Sequence, residues 1–167
     1  MQKIVDLRDL MIKQLRNLHD GEKQFDSALP LLSACVEEAR LKQIINDYLF
    51  DHEGQIMRLR QVFAHLYVQS SGGNCVAMES MIKEAFDIVQ KSAEPEVMDA
   101  GIITALQHII HYQIAGYGAV CTYAKMLGLY DMGAILHENL EEEKKMDRQL
   151  AILAEEVPVI PIAHSKR

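Results

Sequence analysis

Apolar side chains recur at spacings of three and four over four long stretches of this chain, the period of a helix that buries one face. The first stretch, residues 3–34, sets Met11, Leu15, Leu18, Phe25, Leu29 and Leu32 on one stripe. Pro30 lies in its last turns, where loss of a backbone donor predicts a kink or an early end. Residues 37–68 form the second stretch, with Ile45, Leu49, Ile56, Leu59 and Phe63 facing inward. A Gln-Ser-Ser-Gly-Gly-Asn run at 69–74 is the clearest loop. A shorter amphipathic helix is predicted over 76–90, using Met78, Met81, Ile82, Ala85, Phe86 and Val89.

The third long helix opens at Pro95, a favourable first-turn residue, and runs to about residue 128. Its stripe holds Ile102, Leu106, Ile109, Tyr117 and Val120, and Gly116 and Gly118 predict a close backbone approach in mid-helix. Asp131 is the expected cap of a last helix reaching residue 155. Helix pair, connection with a short helix, helix pair: this order predicts an all-α, four-helix bundle with one long crossover. One domain, residues 1–157, and a non-helical tail, 158–167, account for the chain.

Polar groups interrupt these stripes. Glu22 falls between Leu18 and Phe25, and Glu143 follows Leu140, with Asp147 one turn on. His52 and Gln113 hold comparable places on the second and third long helices, with Asp51 and Gln55 beside His52. Each half of the chain thus repeats a polar residue in mid-stripe on both of its helices. A buried carboxylate needs a cation or strong donors, so acids on facing helices point to a metal site or a polar network. Iron, manganese or zinc accept carboxylate and imidazole ligands, as one ion or two. The competing reading tilts the acids to the bundle edge, paired with Lys23, Arg58, Arg60 or Lys144. In the run from Glu141 to Lys145 only Glu143 fits the stripe. His19, one turn before Glu22, is a candidate support for it, whereas His108 and His111 fall off the stripe and are expected in a groove or at the surface.

Composition narrows the classes. A net charge of −7 argues against binding the nucleic-acid backbone, which needs a basic face. No apolar run is long enough to span a bilayer, and the start lacks a signal-peptide core. Cys35, Cys75 and Cys121 form neither a CxxC pair nor a disulfide framework, so a reducing cytoplasm is the expected location. None has charged neighbours that would lower a thiol pKa. The nine methionines read as core filler.

Five segments carry a family resemblance: Gly21-Glu-Lys-Gln-Phe25, His52-Glu-Gly-Gln-Ile56, Cys75-Val-Ala-Met-Glu79, His111-Tyr112 with Ile114-Ala-Gly-Tyr-Gly118, and Leu140-Glu-Glu-Glu-Lys144 followed by Asp147. With them the chain resembles the YciE/YciF family of ferritin-like stress proteins, up to about residue 155. The resemblance implies a rubrerythrin- and ferritin-like bundle, a homodimer, and a two-metal site in each bundle. Glu22, Asp51, Glu142, Glu143 and Asp147 match acidic family positions. Phe50, Ile110 and Gln113 stand where the family has acids, and apolar residues at 50 and 110 would close the site against ions and water.

Two readings therefore remain. One is a metal-binding bundle with Glu22 and Glu143 as first ligands, then Asp51, Asp147 and His52, and Gln113 as a weak ligand or hydrogen-bonding partner. Its chemistry would be iron oxidation or peroxide handling. The other is a metal-free homodimeric structural or interaction protein that keeps the bundle after losing ligands. A storage cage is disfavoured, since no feature suggests a shell.

Overall fold

The computed structural model describes residues 3–156, and the tail at 158–167 lies outside the described residues. Five helices follow one another: α1 (Leu7–Cys35), α2 (Ala39–His65), α3 (Val76–Lys91), α4 (Pro95–Met126) and α5 (Tyr130–Glu156). Side-chain caps set two of the starts. Asp6 accepts the Asp9 N–H at 2.8 Å and Glu38 accepts the Leu41 N–H at 2.5 Å, each satisfying a donor the helix leaves free. Pro95 begins α4 where its missing N–H costs nothing. Asp131 lies inside the first turn of α5 rather than capping it, where a negative charge still favours the helix dipole. Pro30 does not end α1, which continues to Cys35.

The long helices contact one another in the cyclic order α1, α2, α5, α4, which places α2 diagonally from α4. The α2–α4 connection must therefore cross the bundle, and α3 within it packs on α1 and α4. Asp99 near the start of α4 accepts the backbone N–H groups of Glu37 and Glu38 at 3.1 and 2.8 Å, tying the α1–α2 turn to α4. Gly116 lets α4 approach α1: a Cβ there would stand 2.7 Å from Leu18 Cδ2. Gly118 has no such role, because a Cβ would meet nothing within 4 Å.

The apolar core is divided in two. One cluster holds Phe25, Leu29, Leu41, Ile45, Tyr48, Leu106, Ile110, Met146 and Leu150 among others. The other holds Met11, Leu15, Leu18, Leu59, Phe63, Tyr117, Leu136 and Leu140. On every long helix the boundary between them is a buried polar residue: Glu22 on α1, His52 and Gln55 on α2, Gln113 on α4, Glu143 on α5. A polar layer spans the bundle at mid-height.

Candidate functional site

Both acids in the interrupted stripes face inward. Glu22 and Glu143 are each 0% exposed, which excludes edge pairing for either. Steps of three and four residues put each acid on the same face as its apolar neighbours, the face its helix buries.

Three donors reach Glu22. Tyr117 O–H donates to Oε1 at 2.5 Å, and the Gln113 amide donates to Oε2 at 2.5 Å. His52 Nε2 lies 2.6 Å from the same Oε2, while its Nδ1 lies 3.2 Å from Asp26 Oδ1. Burial works against a charged His52, but the hydrogen bonds and charges of Glu22 and Asp26 outweigh it and raise its pKa. A ring with an acceptor on each nitrogen is best satisfied as imidazolium, donating on both sides. Glu22 and His52 thus form a buried ion pair.

Glu143 is held differently. Tyr48 O–H donates to its Oε1 at 2.7 Å, and Oε2 has no partner. Burial first, and the nearby Glu22 charge second, push its pKa well above the usual carboxylate range, against the Tyr48 bond and the nearby Gln55 amide, which falls short of hydrogen-bond geometry. The surroundings of Glu143 therefore favour its protonated form. Burial likewise pushes the Tyr48 and Tyr117 phenols well above their ordinary value, with the two glutamates adding to it, so both stay protonated donors.

Asn139 extends the layer outward. Its amide N–H₂ donates to Tyr117 Oη at 3.0 Å and to the Gln55 carbonyl at 3.1 Å. Arg58 donates to Asn139 Oδ1 and pairs with Glu142, closing the network on the α2–α5 side. The side-chain amide of Gln55 and the Gln113 carbonyl oxygen are buried without partners. Hydrogen bonds in this layer therefore link all four long helices.

Two of the expected ligands stand elsewhere. Asp51 Oδ2 accepts from Lys145 Nζ at 3.1 Å, and Asp147 Oδ1 pairs with His111 Nε2 at 2.8 Å, both at the partly exposed surface. Residue 51 is a 100° step from inward-facing His52, and on α5 it is Met146 that turns inward after Glu143. His19 does not support Glu22: it is buried edge-on against Phe63, and its Nε2 has no partner. Phe50 is 86% exposed, so it does not seal the interior, whereas Ile110 is part of the core. His111 is at the surface, and His108 lines a small groove beside Met81 and Ile88, as their off-stripe positions predict. The stripe pattern did not single out Asn139 or Asp26, although each lies four residues from a buried glutamate, on the same helix face.

The donor set does not fit a ferritin-type two-metal centre, which takes about four carboxylates and two histidines from facing helices. Of the fully buried groups in this layer only Glu22, Glu143 and His52 have ligating chemistry beyond amides and phenols, and the carboxylates at its edge, Asp26 and Glu142, are taken by His52 and Arg58. Glu22 already has hydrogen-bond partners on both oxygens, and both ring nitrogens of His52 are taken by carboxylates. Among the described residues, no group of three or more His, Cys, Asp or Glu side chains is placed to hold an ion.

Helix order, the diagonal crossover and a polar layer between two apolar halves define a four-helix bundle protein of the ferritin-like architecture. Residues 6–159 match the family described as a domain of unknown function, DUF892, and the chain belongs to that family. It is 36% identical over 149 residues to Protein YciF of Escherichia coli, covering 89% of this chain and 90% of that one. The crystal structure of the E. coli stress protein YciF superposes with a TM-score of 0.87 at 35% identity, covering 91% of this chain and 96% of that chain. YcfI of Rhodopseudomonas palustris, described as a candidate structural protein, also gives 0.87 at 35% identity, covering 90% and 96%. Among the described residues no helix is long and apolar enough to cross a membrane.

Proposed function

We propose that this chain is a non-catalytic member of the YciF-like stress proteins, a cytoplasmic homodimer whose interior acids are held by its own side chains, Tyr117, Gln113 and His52 on Glu22 and Tyr48 on Glu143. The observation that carries this reading is the saturation of Glu22 by Tyr117, Gln113 and His52, with Tyr48 on Glu143. Gln113 is the telling residue. Where the resembling family has an acid that would need a cation, this chain has an amide that donates to Glu22. A polar layer of this kind favours one helix register over its alternatives, because a slip would strand charges in apolar surroundings.

A second reading, with one bound divalent ion, is favoured by the unpartnered oxygens of Glu143, Gln55 and Gln113. Glu22, His52 and Glu143 would then hold iron, or manganese or zinc, with Gln113 giving a neutral oxygen. The ion would supply Lewis-acid or one-electron chemistry. Asp51 and Asp147 would keep their surface pairs.

Thermal melts in ferrous iron, manganese and zinc separate the two, because a ligand that binds only the folded state raises Tm as its concentration rises. On the first reading Tm does not respond to any of these ions. A rise that saturates in the native protein and is lost in Glu22→Ala with Glu143→Ala would establish the second.

A further inference from the structure

A groove of about 380 Å³ lies at one end of the bundle, between the first turns of α1 and the linker after α2. We propose that it binds a small phosphate monoester carrying an apolar or flat ring body. In a chain of net charge −7, four cations, Lys3, Arg8, Lys13 and Arg16, line this one groove against a single acid, Asp9. None of the four forms an ion pair among the described residues, so their charge is left for a ligand. Asp9, whose Oδ2 accepts the Val5 N–H at 3.2 Å, offsets one of the four charges and leaves the groove with a surplus of three.

The two guanidinium groups are fixed in place by backbone rather than by carboxylates. Arg8 Nη2 donates to the Leu66 carbonyl at 3.0 Å and Arg16 Nε to the Gln69 carbonyl at 3.2 Å. Each keeps further N–H donors in the planar fork that suits phosphate oxygens. Ile4, Ile12 and Val68 supply an apolar floor. The wall opposite α1 is built, not loose. Gly73 packs so closely on α1 that a Cβ would stand 2.1 Å from the Arg16 carbonyl oxygen, and Gly72 turns the chain at a φ of 94°. The volume falls within the range of roughly 300–1,000 Å³ common for small-molecule sites.

Calorimetric titration of the full-length protein with AMP, inorganic phosphate and adenosine tests the assignment. AMP should bind, and both phosphate and adenosine should bind at least about tenfold more weakly, since each lacks one half of the match. Lys13→Gln, which removes no hydrogen bond of the fold, should weaken AMP by about tenfold with an unchanged melting curve. Lys83→Gln, on α3, should leave AMP binding as it was. No heat with AMP, equal affinity for phosphate, or an equal loss in both variants would overturn the proposal. So would co-sedimentation with vesicles containing phosphatidate in the absence of AMP binding, which would make a lipid headgroup the source of the phosphate.

Discussion

A carboxyl group buried beside another negative charge holds its proton more tightly, and Glu143 is placed that way next to Glu22. Replacing it with an uncharged isostere should therefore matter little: Glu143→Gln is expected to change unfolding free energy by less than about 1 kcal/mol at neutral pH. Glu22→Gln should cost about 3 kcal/mol, since it leaves the His52 imidazolium buried without its main counter-charge. Chemical denaturation of both variants checks the contrast, and equal losses would contradict it. The pH dependence has a definite sign. Glu143 and His52 both have raised pKa values in the folded state, so the folded chain binds more protons than the unfolded one. Stability should fall as pH rises from the carboxylate range through neutrality, and Glu143→Gln should flatten the lower part of that slope. The two glutamates could be read from sequence because each interrupts an apolar stripe. Tyr48 and Tyr117 could not be read as donors, since a tyrosine in a stripe looks like packing until its hydroxyl finds a partner.

At the scale of the helices, periodicity located all five elements, with ends shifted by a few residues. What it could not see was why a particular glycine is present. Gly116→Ala should destabilise by about 1–3 kcal/mol through its clash with Leu18. Gly118→Ala, facing open space, should stabilise by about 0.5–1 kcal/mol through helix propensity. The two α-helix ends at 67 and 128 make a similar comparison. Both close with the same pair of backbone bonds, Tyr67 N–H to Ala64 and Val68 N–H to Phe63 in one, Gly128 N–H to Lys125 and Leu129 N–H to Ala124 in the other. This motif wants a left-handed residue, for which glycine suits and tyrosine is strained. Tyr67 adopts φ 55° and is 96% exposed, so nothing in the fold repays the strain by packing. Tyr67→Gly should raise stability by about 1 kcal/mol, read as a higher denaturation midpoint.

For the whole molecule, the bundle and its crossover followed from helix lengths and the position of the one short helix. The family followed from five short segments in the right order. The site was half legible. Sequence placed Glu22, His52, Gln113 and Glu143 at one height, and the structure joins Glu22 to His52 and Gln113, with the Glu143 carboxyl close enough for the Glu22 charge to shift it. It also enlisted Asp51 and Asp147, which belong to surface pairs, because a helical stripe is about as wide as the error in choosing its centre. Gln113→Glu would restore the acid expected of the family and set it against Glu22. Without added metal it should lower stability by about 1–3 kcal/mol, because a third buried carboxylate brings no donor with it.

Elemental analysis of the untreated protein, purified without chelators, bears most directly on how the interior acids are satisfied. If Tyr48, Gln113, Tyr117 and His52 hold them, iron, manganese and zinc will each be far below one ion per chain. Near-stoichiometric metal that Glu22→Ala with Glu143→Ala releases would mean instead that a cation, not these donors, occupies the polar layer.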